Sequence, residues 1–126
     1  MLADVMDEQL FEALRARYPR YSEAAYMFVL SSLNHVLQRL PEPRHISGRE
    51  LVEGARDLAL DRYGPMARSV LEHWGIHATS DVGEIVFALV EHGVLIKQDE
   101  DTRADFADVF DFAEAFEPRY PGRAGG

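Results

Sequence analysis

Apolar side chains along this chain fall into helical stripes separated by prolines and glycines. Met6, Leu10, Leu14 and Tyr18 recur every four residues with Phe11 beside them, and Pro19 follows, which predicts a first helix over residues 4–17. Tyr26, Val29, Leu33, Val36 and Leu40 mark a longer helix over 22–40, with Ser22 as N-cap and Pro41 and Pro43 as stops. Phe28, Leu30 and Leu37 widen its stripe, as expected of a central helix with neighbours on more than one side. Ser47-Gly48-Arg49-Glu50 has the capping-box pattern and opens a third helix over 47–62, with Leu51, Ala55, Leu58 and Ala59 facing the core.

Gly64-Pro65 ends that helix and starts a fourth over 65–74, in which Pro65 takes the favoured first position. Met66, Val70, Leu71 and Trp74 are its expected buried residues, and Gly75 closes it. A fifth helix, beginning near Thr79 or Ser80 and reaching His92, carries Val82, Ile85, Val86, Leu89 and Val90 on one stripe. Phe87 sits off that stripe and predicts a second contact, within the fold or across a dimer. Gly93 has the place of a left-handed cap, and Val94-Leu95-Ile96-Lys97 is the best strand in the chain. Beyond it, Phe106, Phe110, Phe112 and Phe116 fit a strand by their even spacing, while Phe106, Val109, Ala113 and Phe116 fit a helix. A short returning strand or turn near 106–110, then a terminal helix, reconciles the two.

The order helix, tight turn, helix, strand between Tyr63 and Lys97 suits the second half of a winged helix-turn-helix. The expected architecture is mainly α: a single domain over 1–120, its N-terminal helical pair (1–40) packed on a winged-helix-like unit (45–116) with a small β-hairpin, and a flexible tail over 121–126.

Charge changes what that scaffold suggests. The 126-residue chain carries −9, and residues 99–117 hold eight acidic side chains against Arg103 alone, so this stretch accounts for −7. The reading helix of a DNA-binding unit would be 80–92, yet it bears Asp81, Glu84 and Glu91 and no Lys or Arg. Phosphate backbones require clustered cations, so nucleic acid is disfavoured. A DNA-binding regulator stays open only if Arg49, Arg56, Arg62 and Arg68 converge on one face. The chain has no cysteine, which removes disulfides, thiolate metal sites and cysteine nucleophiles. No apolar run approaches a membrane span and the N-terminus is acidic rather than signal-like, so a cytoplasmic protein is expected.

Candidate chemistry is sparse. His73 and His77 have the four-residue spacing that places two imidazoles on one helical face, with Asp81 following, but Gly75 is expected to end the helix between them. Solvated histidines are the preferred reading, and a carboxylate–histidine metal enzyme is the second alternative. Ser47 beside His45 invites a hydroxyl–imidazole pair, yet capping already accounts for Ser47. No phosphate-binding glycine loop is present, so no cofactor is implied. Asp99, Glu100 and Asp101 lack the spacing of an EF-hand and read as a solvated turn; with Asp105 and Asp108 they form an acidic surface for a basic protein partner. Tyr21 and Tyr26 supply a candidate aromatic groove for that partner, joined by Phe87, and core packing is the plainer account of all three. Gly125-Gly126 resembles the diglycine end of ubiquitin-like modifiers, which are β-grasp proteins unlike this mostly helical chain.

One resemblance covers about residues 21–116. Tyr21-xxx-Ala25-Tyr26-x-Phe28-Val29-Leu30, His45-x-Ser47-Gly48-x-Glu50-Leu51 and Gly64-Pro65-Met66-Ala67 are three of its pieces. Trp74-Gly75-Ile76, Asp81-x-Gly83-Glu84-Ile85-Val86-Phe87, Asp105-Phe106 and Asp111-Phe112 complete it. In this combination the chain resembles the Verrucomicrobia–Planctomycete-restricted conserved hypothetical proteins. The resemblance implies a cytoplasmic, single-domain bacterial protein and brings no activity, cofactor or catalytic residue. The expected function is therefore a non-catalytic protein-interaction or adaptor module, with a homodimer possible and DNA-binding regulation as the alternative.

Overall fold

The computed structural model describes residues 8–96 and 103–116, and every structural statement below concerns these. Six α-helices follow in order: α1 (Glu8–Arg17), α2 (Glu23–Gln38), α3 (Gly48–Tyr63), α4 (Ala67–His73), α5 (Thr79–Glu91) and the single turn α6 (Phe112–Ala115). Two 3₁₀ turns, Gly64–Met66 and Arg103–Phe106, complete the regular structure. The protein is mainly α, and no described helix is long and apolar enough to cross a membrane.

Local chemistry sets the helix starts. The Ser22 hydroxyl accepts from the Ala25 amide at 3.3 Å and opens α2. At α3 the capping box is complete: Ser47 Oγ accepts from Glu50 N at 3.1 Å, and Glu50 Oε1 accepts from Ser47 N at 2.8 Å. Asp111 caps α6 through the Glu114 amide at 3.1 Å. Residues 64–66 turn with three residues per turn, so Met66 leaves the α4 stripe and stands 59% exposed, contrary to its expected burial.

Two helix ends share one device. After α4, the Ile76 amide bonds to Leu71 O (2.9 Å) and the Gly75 amide to Glu72 O (3.0 Å), with Gly75 at φ 102°. After α5, the Val94 amide bonds to Leu89 O (2.8 Å) and the Gly93 amide to Val90 O (3.0 Å), with Gly93 at φ 80°. Both are Schellman closures. The second overturns the expected strand at Val94-Leu95-Ile96: its first amides, those of Val94 and Leu95, bond back to Leu89 and are not offered to a sheet. No strand occurs among the described residues, so neither the expected winged-helix-like unit nor its β-hairpin is seen there, and Lys97 lies outside the described residues. Residues 106–110 take the turn, and the terminal helix follows as α6.

The core gathers around α2, whose Ala25, Tyr26, Phe28, Val29, Leu30 and Ser32 are all buried. Ser32 satisfies its hydroxyl on Phe28 O at 2.8 Å, which removes the cost of a polar group in that position. Opposite it, α3 brings Gly54 so close that a Cβ there would lie 2.1 Å from Val36 Cγ2. Val36 is stiff at χ1 and has no flexible end to withdraw. Gly54→Ala should therefore destabilise the fold by about 1–3 kcal/mol through overpacking, although alanine is the better helix former by about 1 kcal/mol. Adding Val36→Ala should recover most of the loss, as chemical denaturation of the single and double variants would show.

Candidate functional site

Asp81, at the third position of α5, is 5% exposed and collects four donors. Tyr21 Oη donates to Oδ1 at 2.6 Å and Arg20 Nη2 at 2.8 Å, while the amides of His77 and Ala78 reach Oδ2 at 2.8 and 3.1 Å. Ala78, the N-cap, has no side chain with which to cap, and Asp81 satisfies that helix end by reaching back. Burial, and then the bond to Asp81, push the Tyr21 phenol well above its ordinary value. Nearby, the Ser22 amide donates to Trp74 O at 3.1 Å, and Gly75 passes so near Arg20 O that a Cβ would come within 2.2 Å. The turn before α2 and the turn before α5 are thus one junction.

A second construction holds the C-terminal segment. Phe106, 3% exposed, lies between two glycines: a Cβ at Gly48 would come 2.8 Å from its ring, and one at Gly83 would come 2.7 Å from it. Gly83 stands inside α5, where glycine costs about 1 kcal/mol against alanine, so helix stability is given up to receive the ring. The buried Thr79 hydroxyl donates to Phe106 O at 2.6 Å and accepts from Val109 N at 3.2 Å. Arg103 pairs with Glu84 and lies over the Phe87 ring, which meets Phe106 edge-on at 6.0 Å between centroids.

Beside Phe106 opens an apolar groove of about 770 Å³. Leu33, Leu37 and Leu40 form one wall and Val86, Phe87 and Val90 the other, with residues 94–96 at the rim. Ile96 is 87% exposed and Leu37 40%. The polar lip is Arg44, His45 and Ser47. Arg44 gives two bonds to Glu50, at 3.1 and 2.8 Å, and one to His45 O at 2.9 Å. Its volume and mostly apolar lining are in the range of clefts that bind ligands in other proteins.

The residues anticipated for partner binding separate. Tyr21 and Tyr26 do not form a groove: Tyr21 is 3% exposed and spent on Asp81, and Tyr26 is completely buried. They meet edge-on at 6.3 Å, and Tyr26 Oη has no partner among the described residues, its burial pushing the phenol up to about 12. Phe87 lines the apolar groove and makes its second contact within the fold, to Phe106. Asp105 and Asp108 are exposed, while Asp99, Glu100 and Asp101 lie outside the described residues, as do Gly125 and Gly126.

The other candidates also find places. His73 and His77 are exposed on either side of the Gly75 closure, and Asp81 faces Arg20 and Tyr21. No group of three or more histidine or carboxylate side chains that could hold a metal occurs among the described residues. Ser47 is occupied as the α3 cap. Arg49, Arg56 and Arg68 each pair with a neighbouring carboxylate, those of Glu53, Asp57 and Glu72, which leaves Arg62 as the member of that set with no ion pair among the described residues. The Phe106 slot escaped sequence reasoning; its one signal was a glycine, Gly83, within a strong helical stripe.

Comparison with protein-family profiles, curated proteins and solved structures returned no match for this chain.

Two outcomes follow from this geometry. Asp81→Ala should cost about 3–5 kcal/mol and Tyr21→Phe about 1–2 kcal/mol in urea unfolding, because the first strands several donors and the second removes one. The Arg44 guanidinium, then the Ser47 amide, hold the Glu50 carboxyl down at about 2, against an ordinary 4.5. A carboxyl depressed in the folded state stabilises it above the ordinary value, and that contribution is lost as pH falls from 4.5 towards about 2. Glu50→Gln should therefore flatten the stability curve over this interval.

Proposed function

We propose that this protein is a non-catalytic interaction module of the cytoplasm, whose groove docks an apolar-faced, basic segment of a partner protein. The groove carries the proposal. Leu33, Leu37 and Leu40 along one wall and Val86 and Val90 along the other repeat at helical intervals. That arrangement receives an amphipathic helix through anchors three and four residues apart. Exposed Leu37 and Ile96 leave apolar surface that a partner would take out of water.

Charge selects the occupant. Of ten described arginines, eight sit in ion pairs with carboxylates, so the remaining acids dominate the outer field of a chain at −9. Residues 103–116, which supply Phe106 to the groove, carry four acids against Arg103. A second copy would bring −9 against −9, whereas a basic segment is steered in. Kinship with the Verrucomicrobia–Planctomycete-restricted family is proposed on its motifs alone and adds no activity.

Leu37→Glu and Ile96→Glu should each abolish retention of the native partner while leaving the melting temperature within a few degrees. Retention should also weaken between about 0.1 and about 0.5 M salt. The measurement is affinity capture with quantitative mass spectrometry, run with and without nuclease beside sedimentation equilibrium. Retention indifferent to both substitutions would sink the proposal. Loss on nuclease treatment would point to nucleic acid, and a dimer dissolved by Leu37→Glu would point to a second copy.

A further inference from the structure

We propose that residues 103–116 are a displaceable strap, a ligand held in cis, whose Phe106 occupies the inner end of the groove and for whose slot an aromatic side chain of the partner competes. This rests on the groove being the docking site and adds its regulation and one feature of the occupant.

Three observations support it. The slot is built to the shape of a ring: Gly48 of α3 and Gly83 of α5 both approach Phe106 more closely than any Cβ would permit. The same ring lines the groove, so slot and groove are continuous. The strap is also tied on by side chains. No backbone-to-backbone hydrogen bond joins residues 103–116 to the helical body among the described residues. Thr79 supplies the link to its backbone, and Glu84, Phe87 and Arg56 meet Arg103 and Phe110.

Detaching such a strap breaks no helix of the body, which is the character of a unit that opens before global unfolding. Between the Phe106 and Phe112 anchors the chain turns through Asp108 at φ 52°, a left-handed conformation disfavoured outside glycine and kept there by the anchors on both sides. An incoming segment that replaces the strap would present an aromatic ring to the two glycines and a carbonyl to Thr79 Oγ1. While the strap is docked, its tether gives it a high effective concentration, and a competing segment must exceed it.

A synthetic peptide of residues 103–116 tests this on the full-length chain. It should bind Phe106→Ala at least about tenfold more tightly than wild type, because the cis competitor has lost its anchor. Gly83→Val in the Phe106→Ala background should remove that binding. Equal affinity for wild type and Phe106→Ala, or binding that survives Gly83→Val, would overturn the strap. Should Phe106→Ala lose cooperative unfolding, Arg103→Ala, which removes the strap's pairing with Glu84 and its contact with Phe87 while leaving the slot intact, carries the same comparison with the same two outcomes. Hydrogen exchange of the wild type gives an independent readout: the amides of Ala107, Ala115 and Phe116 should exchange well ahead of those of Val29 and Leu30, and equal protection would overturn the proposal. Partner capture by Leu37→Glu reports on the groove alone, so failure of the strap and failure of the groove are separable.

Discussion

A carboxylate almost wholly removed from water persists only where donors surround it, and Asp81 draws its four from two distant parts of the chain. Arg20 and Tyr21 come from the turn before α2, and the amides of His77 and Ala78 from the turn before α5. The bond from Ser22 N to Trp74 O and the approach of Gly75 to Arg20 O fasten the same place. Both long walls of the groove start from this junction. Pinned near their N-terminal ends, α2 and α5 present Leu33, Leu37, Val86 and Val90 from their later turns to the open space. The groove's geometry therefore depends on a polar cluster that takes no part in its lining.

Small residues supply the second constraint. Gly54 admits α2 to α3 at a distance that alanine would forbid, and Gly48 and Gly83 do the same for the ring of Phe106. Each gives up helix stability for close approach, so each is informative only beside the residue it faces. Thr79 works in the same economy: fully buried, it meets both of its obligations on the strap, donating to Phe106 O and accepting from Val109 N. The position of residues 103–116 is thus specified by side-chain shape, one hydroxyl and the contacts of Arg103 and Phe110, with the backbone ladder of a sheet absent among the described residues.

The apolar groove lies where α2, α5 and residues 103–116 meet, and eight of the ten described arginines are paired with carboxylates. The order of α3, α4 and α5 follows from packing, whereas nucleic-acid binding would follow from charge, so the helix order does not by itself assign a partner.

Local rules were sufficient for much of the fold. The stripes of Leu33, Val36 and Leu40, and of Ile85, Val86 and Leu89, marked α2 and α5; Ser22 and Ser47 with Glu50 marked helix starts; Gly75 and Gly93 marked ends. These are legible because a cap or an amphipathic stripe involves residues within a turn or two of each other. The strand expected at Val94 was misread, since β-branched and aliphatic residues after a glycine suit a strand and a Schellman closure equally, and the bond to Leu89 O decides between them. Core packing was the plainer account of Tyr21 and Tyr26 and both are buried, but sequence does not say which way a hydroxyl turns or that Asp81 awaits that of Tyr21. Helix positions, capping and net charge were determined by the sequence alone, through interactions of short range. The buried Asp81 junction, the glycine slot for Phe106 and the groove were decided only in three dimensions, because each joins residues more than twenty positions apart, whose meeting depends on how whole helices pack.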